Sequence, residues 1–191
     1  MKPAPNLVLA SRSPQRRAIL TQLGLEFRVA EPSYDEGALP LAPHELAEQH
    51  SRGKARAVDV APGETVLGVD TIVLVDELVL GKPGDEAEAA RMLALLAGRD
   101  HQVISGLTLR DTAGEHTAHA QTVVRFRPLD TAAIGDYVAR GEWRGRAGGY
   151  AIQEAGAALV AGIEGDFFNV VGLPVALLVD MLSARRIPVS W

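Results

Sequence analysis

The segment Val66 to Val75 is nearly continuous in β-branched and aliphatic residues, with Asp70 and Thr71 set in its middle. A run of that kind reads as a strand buried within a sheet. A carboxylate inside such a strand is expensive unless it is paired or bound to a cation. Asp70 is therefore either a hydrogen-bonded structural anchor or a working group. Gly68, two residues earlier, leaves room for a ligand or a neighbouring backbone to come close.

The elements around this strand alternate between two periodicities. Leu7 to Ala10 is a short apolar strand, and Ser13 with Pro14 opens a helix whose apolar residues Ala18, Ile19, Leu20 and Leu23 run to a C-capping Gly24. Phe27 to Ala30 reads as a strand, Glu31 to Pro43 as a proline-containing loop, and Pro43 to about Val60 as a helix carrying Lys54. After the buried strand, Asp76-Glu77 turns into Leu78–Leu80, and Gly81-Lys82-Pro83-Gly84 closes the unit. Asp85 and Glu88 form a capping-box-like start to a helix over Glu86 to Ala97. His101 to Arg110 and Ala120 to Arg127 read as strands of a long hairpin around Asp111-Thr112-Ala113-Gly114. Asp130 caps a helix reaching Arg140, and Glu142 to Glu154 is a glycine-rich loop. Ala157 to Ile163 reads as a strand, Gly165 to Asn169 as a turn, and Val170 to Ala184 as the last helix. The expected fold class is α/β, or mixed α+β, with a partly antiparallel sheet, and 191 residues fit one domain over 1–191.

The turn Ser11-Arg12-Ser13-Pro14-Gln15-Arg16-Arg17 is the first feature with chemistry in it. A helix N-terminus presents unpaired N–H groups and partial positive charge, which suits phosphate oxygens. Arginines in that first turn oppose the helix dipole, and a bound anion would relieve the mismatch. The plainer alternative is a capped helix with a solvated basic first turn. No G-x-x-x-x-G-K-[ST] run is present, and no G-x-G-x-x-G opens a helix after the first strand.

Charge and composition set the outer bounds. A net charge of -5 argues against extended nucleic-acid binding but leaves room for a local cationic cluster that holds a small anion. The absence of cysteine removes disulfides and thiolate metal sites and favours the cytosol weakly. Met1 to Ala10 lacks the long apolar centre of a signal peptide, and no apolar run has membrane-spanning length, so a soluble cytoplasmic protein without a membrane partner is expected. His116 and His119 on one strand would face opposite sides, which disfavours a shared zinc and points any metal to oxygen ligands, meaning Mg²⁺ or Mn²⁺. Asp35 and Glu36 read in isolation as solvated loop charges, and Lys54 as a surface residue. Lys82, between Gly81 and Pro83, is better placed to face a ligand.

Taken together, the blocks Leu9 to Arg17, Gly68-Val69-Asp70-Thr71, Gly81-Lys82-Pro83, Ala147 to Gln153 and Gly165-Asp166 with Asn169 to Pro174 resemble the Maf family of nucleoside triphosphate pyrophosphatases. The likeness runs from Leu7 to about Leu182. It implies an inosine-triphosphatase-like fold of two lobes with a central cleft, divalent-metal hydrolysis between the α- and β-phosphates, and frequently a homodimer. Asp70 would be the base that activates water, with Lys82 beside it in the catalytic set. Glu36 would help Asp70 hold the metal, and Ser11, Arg16, Arg17, Lys54 and Lys82 would hold the triphosphate. Gln15, Thr71 and Gln153 stand at the positions that sort substrates. Thr71 and Gln153 look like the branch acting on dTTP and UTP, whereas Gln15 departs from its usual Arg. Two other readings stay open: a pyrophosphatase for modified purine nucleotides such as 7-methyl-GTP, and a non-enzymatic nucleotide-binding regulator of cell division.

Overall fold

The computed structural model describes residues 6–37 and 39–187, so the reading of Met1 to Pro5 lies outside it. Seven strands form one sheet in the order β2-β1-β3-β5-β6-β7, with β4 paired to β3 off that path. They are β1 (Leu7–Ala10), β2 (Phe27–Ala30), β3 (Thr65–Val75), β4 (Leu78–Leu80), β5 (Asp100–Asp111), β6 (Gly114–Phe126) and β7 (Val160–Glu164). The helices are α1 (Pro14–Gln22), α2 (Pro43–Arg56), α3 (Glu86–Leu96), α4 (Thr131–Ala139), α5 (Phe167–Val171) and α6 (Val175–Ala184). β1 runs parallel to both β2 and β3, whereas β3 with β4 and β6 with β7 are antiparallel. The sheet is therefore mixed. Among the described residues, no helix is long and apolar enough to cross a membrane.

The chain divides into two compact units. Of the described residues, the first comprises those within 1–70, 105–120 and 172–191, and the second those within 71–104 and 121–171. In the first, Val8, Ala10, Ala55, Val58 and Val66 form a small apolar cluster beneath α2. In the second, α3 and α4 bury Met92, Leu93, Leu96, Ile134 and Tyr137 with Val73, Val103, Phe126, Trp143 and Tyr150.

Several boundaries differ from the sequence reading. α2 stops at Arg56 rather than near Val60, because Arg110 Nη1 donates to the Ala55 and Val58 carbonyls at its end while Val58 turns into the core. β6 begins at Gly114, not Ala120. Asp111 Oδ1 accepts from the amides of Ala113 and Gly114, which tightens the hairpin and extends its ladder. Val160 starts β7, since a 3₁₀ turn over Ala155–Leu159 takes the residues before it. Gly165 to Asn169 is not a plain turn: Asp166 Oδ1 accepts from Phe168 N and opens α5. The expected last helix is split, because Gly172 at φ 125° and Pro174 interrupt it before α6.

Candidate active site

Within the first unit, α2 lies against the sheet with almost no side chain between them. A Cβ built on Gly68 of β3 would fall 2.2 Å from the Ser51 carbonyl oxygen, and one on Gly106 of β5 would fall 2.3 Å from that of Ala47. Only hydrogen fits at either place. Ser51 Oγ and Thr108 Oγ1 share a hydrogen bond of 2.9 Å, which satisfies both hydroxyls in the dry interface. This close seat carries Lys54 to the strand. Its Nζ lies 2.5 Å from Asp70 Oδ1 and 2.6 Å from Glu36 Oε1. The reading of Lys54 as a surface residue is corrected: Lys54 is 7% and Asp70 5% exposed. Glu36, in contrast, keeps a side chain that is 42% exposed.

Register explains why the strand-to-helix turn meets this pair. β1 and β3 are parallel, with Ala10 opposite Gly68, so Ser11 leaves the sheet beside the segment that ends in Asp70. Such carboxyl ends of parallel strands are where α/β proteins place ligands. Ser13 caps α1 through its side chain, which accepts from Arg16 N, and its hydroxyl donates to Gln15 Oε1 at 3.1 Å. Arg16 is not a solvated first-turn cation. It is 9% exposed, and it donates through Nε to the Gly172 carbonyl at 2.9 Å and through Nη1 to Ser11 Oγ at 3.1 Å. Burial lowers its pKa, opposed by the attraction of Asp70 and Glu36. Arg17 is half-buried, and its Nε is buried without a hydrogen-bond partner among the described residues. Ser11, Arg16, Lys54, Glu36 and Asp70 thus share one electrostatic neighbourhood.

Tyr34 and His50 belong to the same neighbourhood and were missed in the sequence. Tyr34 Oη pairs with His50 Nδ1 at 3.0 Å, and its ring lies so close to α2 that a Cβ on Gly53 would meet it at 2.1 Å. The loop bearing Asp35 and Glu36 is pinned by this contact. Burial raises the Tyr34 pKa, and the charges of Asp70, Glu36 and Asp35 push the same way. An isolated glycine in the middle of a helical pattern was the available signal.

Lys82, Thr71 and Gln153 belong to the second unit. Lys82 is exposed on a loop fixed from behind, where Gly148 N donates to the Gly81 carbonyl at 3.0 Å. Gly148 has φ 70° and would press a Cβ against Val73 at 3.1 Å, so this support needs glycine twice over. Thr71 is half-buried on β3, and Gln153 is exposed after the buried Tyr150, Ala151 and Ile152.

Asp70 and Glu36 present an oxygen-only donor pair already holding one cation, which is the chemistry a hard divalent ion accepts. Among the described residues, no group of three or more His, Cys, Asp or Glu is arranged to hold a metal. Two carboxylates alone would leave most of such an ion's shell to other oxygens.

The fold is that of a mixed α/β protein of the HAM1 type. It aligns with the structure of a HAM1 protein from Coxiella burnetii at a TM-score of 0.52 and 16% identity, covering 93% of this chain and 98% of that one. The chain belongs to the family described as Maf-like protein, whose model matches residues 6–185. It is 51% identical to a dTTP/UTP pyrophosphatase of Symbiobacterium thermophilum, over 96% of this chain and 95% of that protein. It is 47% identical to another of that name from Pelotomaculum thermopropionicum, over 93% and 95%.

Proposed function

We propose that this protein hydrolyses nucleoside triphosphates to the monophosphate and pyrophosphate, with dTTP and UTP as the favoured substrates and the clearing of unwanted nucleotides as its role. The observation that carries the reading is the buried Lys54 ammonium shared by Asp70 and Glu36, beside the elbow of Ser11 and Arg16. A structural ion pair has no need of a second, exposed carboxylate, or of the nearby Arg17 Nε, which is buried without a hydrogen-bond partner among the described residues. A polyphosphate with its cation uses both. The names of the relatives support the choice of pyrimidine nucleotides.

In this mechanism Arg16, Arg17, Ser11 and Lys82 bind phosphate oxygens. Charge-assisted hydrogen bonds and preorganised cations supply most of the stabilisation in such reactions. An arriving phosphate competes for Lys54 Nζ and releases Asp70 from its ion pair. Asp70 then orients a water and takes its proton as the water oxygen bonds to phosphorus and the P–O bond bridging the α- and β-phosphates breaks, which yields the monophosphate and pyrophosphate. A well-placed base of this kind contributes about 10²–10⁴-fold. A divalent ion, Mg²⁺ or Mn²⁺, held by Glu36 and Asp70, would neutralise charge on the phosphates when bound. Gln15, Thr71 and Gln153 meet the base and sort substrates. A cytoplasmic homodimer that engages neither nucleic acid nor membrane completes the reading.

The test is a panel of nucleoside triphosphates, including 7-methyl-GTP, with Mg²⁺ or Mn²⁺ and pyrophosphate release as the readout. Turnover confined to dTTP and UTP supports the reading. Turnover confined to modified purines replaces it with the purine branch, and binding without turnover replaces it with a regulator.

A further inference from the structure

Gln153 stands on a turn whose backbone is fixed from three sides. Ala151 N donates to Tyr137 Oη at 3.0 Å, Glu154 N to the Ala151 carbonyl at 3.1 Å, and Gly156 N to Glu142 Oε2 at 3.3 Å. No side chain fits at Gly156, where a Cβ would lie 2.4 Å from the Ala151 carbonyl oxygen. The Gln153 side chain projects from this scaffold and donates through Nε2 to Glu154 Oε1 at 3.2 Å. Arg146 Nη2 reaches the same oxygen at 3.4 Å. Arg146 Nε is buried and has no hydrogen-bond partner among the described residues, while Nη2 of the same guanidinium is ion-paired with Glu154.

A carboxylate has no proton to give. An amide beside it turns its NH₂ inward and its carbonyl away. We propose that Glu154, tied by Arg146, fixes the orientation of the Gln153 amide and so makes Gln153 select bases that carry an imide N–H, uracil and thymine over cytosine. This rests on the pyrophosphatase reading above. The outward Oε1 accepts from N3–H of uracil or thymine, and the second Nε2 hydrogen donates to the neighbouring ring carbonyl. Cytosine has a bare N3 and an amino group at those places, so acceptor would meet acceptor and donor would meet donor. Unpaired polar groups of that kind are what make hydrogen-bond discrimination steep. Guanine presents the same carbonyl and N–H pair, so the device sorts imide from amino bases and leaves ring size to other residues. Released from Glu154, the amide rotates and accepts either edge. Glu154 and Arg146 are therefore positioning residues acting through Gln153.

The experiment titrates α,β-methylene analogues of UTP and CTP, with Mg²⁺, into the wild-type chain and into Glu154→Ala and Arg146→Ala, reading affinity by calorimetry. The wild type is expected to prefer the uridine analogue by roughly tenfold, and Glu154→Ala to reduce that ratio to about twofold. Arg146→Ala should shift it in the same direction by less. With UTP and CTP as substrates, the change should fall on the ratio of KM values. A merely structural loss would weaken both analogues equally. An unchanged ratio in Glu154→Ala, or a wild type without preference, overturns the proposal. A wild type that binds neither analogue and releases no pyrophosphate from any triphosphate fails the underlying reading instead, and the proposal falls with it.

Discussion

At Lys54 one ammonium is shared by Asp70 at 2.5 Å and Glu36 at 2.6 Å, in a place where two of the three groups are withdrawn from water. Breaking a buried pair leaves an uncompensated charge, at about 3–5 kcal/mol. Lys54→Ala should therefore lower the melting temperature markedly, and combining it with Asp70→Asn should recover part of the loss. Strict additivity in that double-mutant cycle would refute the coupling. Asp70→Asn alone should abolish turnover while nucleotide binding survives, as read by calorimetry against pyrophosphate release. Near-normal rates would remove Asp70 from the role of base. The sequence announced Asp70, because an acid in a run of aliphatic residues stands out. It hid Lys54 and Glu36, whose local surroundings on a polar helix and in a proline loop look solvated. Their partners are distant in the chain and become neighbours only through the fold.

α2 shows the same divide at the scale of an element. Its start at Pro43 was legible, whereas its end depended on Arg110 donating to the Ala55 and Val58 carbonyls from another strand. The early half of β6 was illegible for a related reason. Its residues Gly114 to Ala120 include a single β-branched side chain, and its pairing comes from the Asp111 turn and the Thr108–Thr117 hydroxyl contact at 2.9 Å. The α5–α6 break was written in Gly172 and Pro174, yet the apolar run masked it. Close packing of α2 makes a sharp prediction. Gly106→Ala forces backbone apart and should destabilise by about 2 kcal/mol, or roughly 4–8 °C for a chain of this size. It should also lower activity, since Lys54 rides on the helix that must move. Full activity at an unchanged melting temperature would contradict the packing.

For the whole molecule, one buried imidazole couples folding to pH. His101 is 2% exposed, with Nε2 against Tyr150 Oη at 2.8 Å and its ring edge-on to Phe126. Burial lowers its pKa to about 4 from 6.5, with a smaller opposing pull from Asp100. The unfolded chain therefore takes up a proton near pH 6.5 that the folded chain resists until about pH 4. Stability from this group is full above that window and is lost as pH falls through it, by on the order of 3 kcal/mol. Thermal melts from pH 7 to 4 should show that decline, and His101→Gln should flatten it while keeping a partner for Tyr150. An identical slope in both proteins would place the acid sensitivity elsewhere.

Gly53, Gly68 and Gly106 lie far apart in the chain, yet each leaves α2 or its neighbour the width of a single hydrogen atom. They amount to a fingerprint that can be searched for without any coordinates. A distant relative that keeps a lysine and an aspartate at the positions of Lys54 and Asp70, but carries larger residues at these three places, must hold its helix farther off and cannot bring that lysine to that aspartate in the same way.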